Sequence, residues 1–250
     1  LNVIKTIIYA VLSVPDALLI LVGIMPEKKL RLMIYIQKDA KGLPIVSEEE
    51  MDIVKKYLQY TINTFRKEVN VRLVQIKFFT YNSAFQGDTT PLEKFIETED
   101  FWSTDATLDV CCNACAYGQD LLTQGSIFNI KMSIRGFISS GRRIIGYGAP
   151  ITAFSVRSYS DEKAGCSLGP LTDYVTIKFK TNINELEPGF ARPENLQPDY
   201  LNNSVTDLAH EIGHACNLLH KGNAENIMYR LPKRSGKFTA WQKVLFRSSR

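Results

Sequence analysis

All three histidines of this 250-residue chain lie within eleven positions, in the stretch LAHEIGHACNLLH at residues 208–220. His210 and His214 are four residues apart, so on a helix they share one face and their imidazoles can converge on a single ion. Glu211 follows the first histidine directly and is expected beside the ion, where a carboxylate can hold and deprotonate a water molecule. These residue types and their spacing predict a catalytic zinc site with Glu211 as the general base.

His220 is the third predicted ligand, although it lies too far beyond His214 to share the same face of a continuous helix. The chain must therefore turn back after about residue 217. Asn217 suits that turn, because asparagine tolerates the left-handed conformation that ends many helices. Three nitrogen ligands leave a fourth position open for water, which is typical of catalytic rather than structural zinc. One Zn²⁺ ion held by His210, His214 and His220 is the predicted cofactor.

The helix that presents these ligands has a recognisable start in the sequence. Ser204 and Asp207 form a capping-box-like pattern, which predicts a helix of about thirteen residues beginning near Ser204. The chemistry is thereby assigned to one helix and to the turn that follows it.

The histidine stretch resembles the H-E-x-x-H-x-x-G-x-x-H motif of the metzincin zinc endopeptidases. Met228, in ENIMYRLP, resembles the methionine turn beneath the metal in these enzymes, at the close spacing of the matrixin-like branch. The resemblance implies a zinc-dependent endopeptidase that hydrolyses peptide bonds in proteins, with Glu211 as general base and then general acid. It also implies a substrate extended along an edge strand and a pocket wall formed by the residues after Met228: Tyr229, Arg230, Leu231 and Pro232.

The chain departs from the family pattern at several points. The motif glycine is Asn217 here, and Arg230 occupies the position at which astacin-like and serralysin-like members have a tyrosine near the metal. No histidine remains for the second, structural zinc of the matrixins, and no cysteine-switch propeptide is recognisable. Acidic loops leave calcium binding open, but no EF-hand-type loop indicates it. The alternative to an active endopeptidase is a catalytically silent zinc-binding interaction protein on a protease scaffold.

The composition is typical of a soluble globular protein, with 45% hydrophobic and 22% charged residues and a formal charge of +4. Lysine and arginine are spread along the chain, so no nucleic-acid partner is indicated. The expected partner is a protein or peptide substrate, and a monomer is the expected state. Cys166 is expected to pair with a cysteine of the cluster CCNAC, with Cys112 preferred, as suits an extracellular or secreted protein. Spacing alone does not fix that connectivity.

An apolar segment, residues 1–26, precedes the predicted catalytic domain at residues 27–250. A lysine ahead of a long apolar run fits an anchor or an export-signal remnant, and therefore membrane association through residues 1–25. Asp16 and the lack of an A-x-A cleavage site argue against that interpretation. The other interpretation is one or two apolar helices packed on the domain, and both remain open at this point.

Periodicity predicts the elements that must position the histidines. Residues 27–39 and 71–81 alternate as strands, and residues 51–69 repeat at helical spacing behind a Ser47–Glu50 capping box. Strand, helix and strand in this order favour a right-handed βαβ unit. Further strands are predicted at about 127–137, 151–158 and 174–181, with loops at 82–125 and 182–202 and a last helix from Thr239. The expected fold class is α/β (α+β), a metzincin-like domain with a twisted mixed sheet, a long backing helix, an active-site helix and a C-terminal helix.

Overall fold

The computed structural model describes residues 2–37, 44, 46–48, 50–81, 151–155, 165–167, 174–179, 205–231 and 234–249. Within these ranges the helices are α1 (Asn2–Leu12), α2 (Val14–Leu21), α3 (Met51–Val69), α4 (Asp207–Ala215) and α5 (Ala240–Ser249). The strands are β1 (Lys28–Gln37), β2 (Val71–Tyr81), β3 (Ile151–Ser155), β4 (Gly165–Cys166) and β5 (Tyr174–Ile177).

The described strands form one mixed sheet in the order β2-β1-β3-β5-β4. β1 pairs in parallel with β2 and β3, and β3 pairs in parallel with β5. Only β4 runs antiparallel to its neighbour, β5. The predicted strand–helix–strand unit is confirmed, because β1 and β2 are parallel and α3 connects them. The coarse prediction of a mixed α/β domain is likewise confirmed.

Strands β3 and β5 are buried on both faces, which the alternating pattern of residues 174–181 does not show. Thr176 is 2% exposed although it alternates with the apolar Val175 and Ile177. Strands in the middle of a largely parallel sheet have neighbours on both faces, so residues of both alternating sets lose contact with water.

Helix α3 backs the sheet as its sequence predicts. The Ser47 amide donates to the Glu50 carboxylate at 2.9 Å, and the Glu50 amide donates to the Ser47 hydroxyl at 3.2 Å, which is the predicted capping box. The face buried by this helix comprises Val54, Tyr57, Leu58, Thr61, Thr64, Phe65 and Val69. Asn70 ends the helix in the left-handed conformation, with φ of 47°, and turns the chain into β2.

Helix α4, which carries the first two histidines, is shorter than predicted. It has nine residues rather than about thirteen, and Ser204 lies outside the described residues. The Asp207 carboxylate forms a buried ion pair with Arg234. Its role as the capping partner of Ser204 stays a prediction. Thr206 is the residue at the N-cap, and its side chain makes no capping hydrogen bond.

The apolar N-terminal segment forms two short helices, and both contact α5. Asp16 in α2 accepts hydrogen bonds from the Arg247 guanidinium, with Nε 3.0 Å from Oδ2, and lies 3.1 Å from the Lys28 ammonium. Most of the exposed large apolar side chains in the described part of the chain lie within residues 4–24. None of the helices described here has both the length and the apolar character needed to cross a membrane.

Several predictions concern residues outside the described part of the chain. These are the strand at about 127–137, the loops at 82–125 and 182–202, Pro232, and the cysteines Cys111, Cys112 and Cys115. The backbone of Cys166 is described but its side chain is not. The pairing of Cys112 with Cys166 therefore stays a prediction.

Candidate metal centre

The three histidines converge at the end of α4. The Nε2 atoms of His210 and His214 lie 3.1 Å apart, and that of His220 lies 3.3 Å from the first and 3.1 Å from the second. In the described residues these side chains form the one group of metal-ligating atoms close enough to share an ion. The sequence-predicted ligands are thus brought together as a nearly equilateral triangle of nitrogens.

Two backbone carbonyls determine which nitrogens carry the protons. His210 Nδ1 donates to the Ile227 carbonyl oxygen at 2.8 Å, and His214 Nδ1 donates to the Leu218 carbonyl oxygen at 2.8 Å. A carbonyl oxygen only accepts, so each Nδ1 must carry the proton, and each neutral ring then has a lone pair on Nε2. This is the usual way in which a ligating histidine is oriented by the shell outside the metal.

All three imidazoles favour the neutral form that binds metals. Burial lowers the pKa of His214 to about 4, and burial is also the leading cause that holds the pKa of His210 well below its ordinary value. Partial desolvation of its ring lowers the pKa of His220 as well, although this residue is the most exposed of the three, and the positive charges of Arg230 and Arg234 act in the same direction. Near pH 7 none of these ligands has to lose a proton before binding a metal ion.

The spacing of the nitrogens fits a tetrahedral ion. Two ligands at about 2.0–2.1 Å from zinc, separated by a tetrahedral angle, lie roughly 3.3 Å from each other. The observed separations of 3.1–3.3 Å match that value. Two Nε2 lone pairs that face each other at this distance repel unless a cation lies between them. The residues present therefore fit a metal ion bound through three nitrogens.

The turn after α4 brings His220 back to the other two histidines. Asn217 has φ of 65°, as its role in the turn predicts. Its amide donates to the His214 carbonyl at 2.9 Å, and the Leu218 amide donates to the Gly213 carbonyl at 3.0 Å, which together form a Schellman motif. Asparagine can replace glycine at this turn, because it adopts the required left-handed conformation.

Met228 is fully buried beneath the ligand-bearing helix. It lies so close to Gly213 that a Cβ built there would be 2.5 Å from the methionine sulfur. Gly213 directly precedes His214, so the thioether packs against the helix turn that carries the second ligand. The role of Met228 as a hydrophobic base under the three histidines stays a prediction.

A buried amide pair fixes the turn that contains Met228. Asn226 Nδ2 donates to Gln242 Oε1 at 2.7 Å, and Gln242 Nε2 donates back to Asn226 Oδ1 at 3.0 Å. The same Asn226 oxygen accepts the Met228 amide at 2.9 Å. The turn under the histidines is thereby connected to α5, and Ile227 is held where its carbonyl meets His210.

Arg234 connects the start of α4 to the segment after Met228. Its guanidinium pairs with Asp207, donates to Thr206 Oγ1 at 2.9 Å, and donates to the Tyr229 carbonyl at 3.0 Å. The side chains of both charged partners are buried. One cation thus holds together the N-terminal end of the histidine helix and the beginning of the predicted pocket wall.

Glu211 is 6% exposed and lies against the edge strand β4, where it contacts Gly165. Its carboxyl oxygens are not among the group of atoms that converge on the ion position. Of the predicted pocket residues, Tyr229 is half-buried, whereas Arg230 and Leu231 are exposed. Pro232 lies outside the described residues.

Sequence reasoning did not find the residues that support the ligands. Asn226, Gln242 and Arg234 are ordinary polar residues in the sequence, and their partners become neighbours only in the folded chain. A signal was available for one of them, since Thr239 and Gln242 have the spacing of a capping box. The Thr239 amide donates to Gln242 Oε1 at 2.9 Å, and the Gln242 amide donates to Thr239 Oγ1 at 3.3 Å.

Comparison with known proteins gives a structural likeness. No protein-family model matches the sequence, and no curated protein matches it. Among solved structures, the chain is similar to metalloproteinase-II from Bacteroides fragilis, with a TM-score of 0.40 and 12% identity over 87% of this chain. The match covers 52% of that protein, so this chain spans about half its length.

Proposed function

We propose that this protein is a zinc-dependent endopeptidase that hydrolyses peptide bonds in proteins or peptides. The observation that carries the proposal is the triangle of Nε2 atoms from His210, His214 and His220, with separations of 3.1–3.3 Å. Three nitrogen ligands leave a coordination position open, which a purely structural zinc site does not. Glu211, next to the first ligand on the same helix, supplies the carboxylate that hydrolysis requires.

Each part of the site has a distinct role in this reaction. Zinc, when bound, supplies a Lewis acid that polarises the peptide carbonyl and lowers the pKa of water. Glu211 accepts the proton of the attacking water and then donates it to the leaving amine nitrogen. The carbonyls of Ile227 and Leu218 keep the Nδ1 protons of His210 and His214 in place, so both Nε2 atoms stay available as ligands.

The proposed substrate is an extended peptide that adds to the sheet along β4. In the described part of the sheet, β4 forms an edge beside Glu211, and an edge strand can pair with a peptide backbone. Residues 229–232 would form the wall of the pocket for the side chain after the scissile bond. Arg230 lies near enough to His220 for its charge to lower the pKa of that imidazole. This proximity supports a pocket wall beside the histidines. The close spacing of Met228 supports a matrixin-like relationship.

We further propose that the enzyme is an extracellular or secreted monomer, with residues 1–25 able to associate with a membrane. The exposed apolar side chains within residues 4–24 support that association. Flotation of the intact protein with lipid vesicles tests it, and protein that stays entirely with the soluble fraction contradicts it.

Metal analysis paired with hydrolysis of a quenched casein substrate tests the enzymatic proposal. We expect about one zinc ion per chain and cleavage that is lost on chelation and restored by added zinc. Stoichiometric zinc with no cleavage of casein or a peptide library contradicts the endopeptidase and favours the silent zinc-binding protein. Absence of zinc after controlled reconstitution overturns the metal site itself.

The variant Glu211→Gln tests the general base. It should keep its zinc but lose on the order of 10²–10⁴-fold in kcat, because a carboxamide does not accept the proton of the water. Glu225→Gln is the matched control, since the Glu225 side chain is 67% exposed and pairs with Lys237. Unchanged hydrolysis in Glu211→Gln removes Glu211 from the mechanism.

A further inference from the structure

Glu211 occupies space that is available because residue 165 has no side chain. A Cβ built on Gly165 would lie 2.7 Å from Glu211 Cδ and 2.8 Å from Oε1. Real Cβ atoms essentially never approach other heavy atoms within 3.0 Å. Glu211 is 6% exposed, so its carboxyl group lies in a confined space between α4 and β4.

Space, rather than backbone conformation, is what requires glycine at this position. The φ angle of Gly165 lies outside the left-handed region that disfavours other residues. Gly165 pairs with Ile177 in a regular antiparallel register, and an alanine can adopt that backbone. The three nearest heavy atoms that such an alanine would meet all belong to Glu211.

Two other glycines make close approaches that do not involve the carboxylate. A Cβ on Gly213 would meet the Met228 sulfur, on the side of α4 that faces the methionine turn. A Cβ on Gly236 would meet Thr64 and Tyr60 at 2.9–3.1 Å, on helix α3. Gly236 therefore serves as a control for tight packing that does not involve Glu211.

We propose that Gly165 is a positioning residue, which leaves open the space on the edge strand that the Glu211 carboxyl group occupies. Its effect on catalysis rests on the proposed peptidase function, whereas its effect on the place of the carboxyl group does not. A methyl group at residue 165 would move the Glu211 carboxyl group, because the end of a flexible side chain shifts more readily than the paired backbone of β4. Because a general base must lie within hydrogen-bond reach of its proton, this displacement slows the chemical step and leaves the histidines in place.

The first test observes the carboxyl group directly in the metal-free protein. Glutamate labelled with ¹³C at the side-chain carboxyl gives one resonance for Glu211, assigned by its loss in Glu211→Gln. We expect Gly165→Ala to move this resonance well beyond its linewidth and Gly236→Ala to leave it in place. A Glu211 resonance at its wild-type position in Gly165→Ala overturns the proposal.

The second test measures kinetics on the zinc-loaded protein. Gly165→Ala should lower kcat about tenfold or more, with KM within about twofold and unchanged zinc content, because the base rather than substrate binding is affected. Gly236→Ala should retain kcat. Wild-type kcat in Gly165→Ala overturns the positioning role. A wild-type protein with no peptidase activity, but with a displaced Glu211 resonance in Gly165→Ala, contradicts the proposed function and leaves the positioning intact.

A variant that fails to fold is also informative. If Gly165→Ala alone does not fold, the same substitution in a Glu211→Ala background removes the crowded side chain. We expect that double variant to fold, with a Tm within about 4 °C of Glu211→Ala alone, because the three atoms that crowd residue 165 are absent from both proteins. Failure of the double variant to fold shows that crowding against Glu211 is not the cause and overturns the proposal.

Discussion

Helix α5 supports two regions of the molecule by different interactions. At Gln242 it holds the turn under the histidines through a neutral, reciprocal amide pair with Asn226. At Arg247 it holds the N-terminal helices through a charged pair with Asp16, and the Arg247 side chain is 0% exposed. The first contact joins residues 16 positions apart, and the second joins residues 231 positions apart.

The neutral Asn226–Gln242 pair and the charged Asp16–Arg247 pair differ in what they contribute to the molecule. The amide pair costs little to bury, because each amide satisfies the other. It positions the turn whose Ile227 carbonyl accepts a hydrogen bond from His210. The guanidinium of Arg247 serves several partners at once, since it also donates to the carbonyls of Val69 at 2.6 Å and Pro26 at 2.7 Å. Loss of Arg247 should therefore lower the free energy of unfolding, whereas loss of Gln242 should weaken zinc binding.

Arg247→Met should have the largest effect on stability. It leaves Asp16 without its main partner and removes donors to two carbonyls, and breaking a buried ion pair typically costs about 3–5 kcal/mol. At this chain length we expect a fall in Tm of roughly 6–20 °C in thermal unfolding, with wild-type zinc affinity for the protein that remains folded. The double variant Asp16→Asn, Arg247→Met should recover part of this loss. A loss below about 1 kcal/mol contradicts the supporting role of Arg247.

His220→Ala should show the opposite behaviour. A three-nitrogen zinc site that loses one ligand is expected to lose about 3–4 kcal/mol of binding free energy, or on the order of a hundred- to a thousandfold in affinity. The Tm of the metal-free protein should change little, because His220 is exposed. Competition with a chromogenic chelator measures the affinity. Full zinc occupancy in this variant means that His220 is not a ligand.

The two regions should also respond to acid in separate pH windows. The pKa of His214 is lowered by burial from 6.5 to about 4, so between these values the unfolded chain binds a proton that the folded chain does not. The metal-free protein should thus lose stability as the pH falls from about 6.5 towards 4.

Asp16 behaves differently, because its pKa is lowered below 3.8: burial works to raise it, but Arg247 and Lys28 outweigh burial. Its contribution is present above about pH 3.8 and is lost as the pH falls through the lowered value. Thermal unfolding from pH 8 to pH 3 should show both windows. Asp16→Asn should reduce the dependence of Tm on pH only in the lower window. If this variant also reduces it in the upper window, the lower window is wrongly assigned to Asp16.

Local spacing made the convergence of the three histidines predictable from sequence. His210 and His214 share a helix face by periodicity, and Asn217 is one of few residue types suited to the turn that returns His220. The βαβ unit and the Ser47–Glu50 capping box were predictable for the same reason, since all their determinants are close in the chain.

Long-range partners could not be predicted in this way. Asp207 has the right spacing for a cap, yet Arg234 draws its carboxylate into a buried pair that no local rule anticipates. The charge of Asp16 indicated that its segment does not lie in a membrane core. The sequence did not show its partner Arg247, because that residue is 231 positions away. Likewise, nothing in the sequence shows that Gly165 lies against Glu211, because the strand and the helix come together only through the sheet.

The smallest expected effect comes from a comparison of the two capping boxes, Ser47–Glu50 before α3 and Thr239–Gln242 at α5. Glu50 exchanges hydrogen bonds with Ser47 in its box, whereas Gln242 closes its box with Thr239 and also holds Asn226. Glu50→Ala should cost about 1 kcal/mol, seen as a Tm lower by roughly 2–4 °C, with unchanged zinc affinity.

Gln242→Ala should cost about 1–3 kcal/mol, because it leaves the buried Asn226 amide without this partner. It should also weaken zinc binding by roughly 10–100-fold, as is typical when a residue that orients a ligand from outside the metal shell is lost. Chelator competition on both variants makes the comparison. Equal zinc affinities would show that α5 supports the fold at this point but not the metal, because the turn carrying the Ile227 carbonyl would then keep its place without the amide pair.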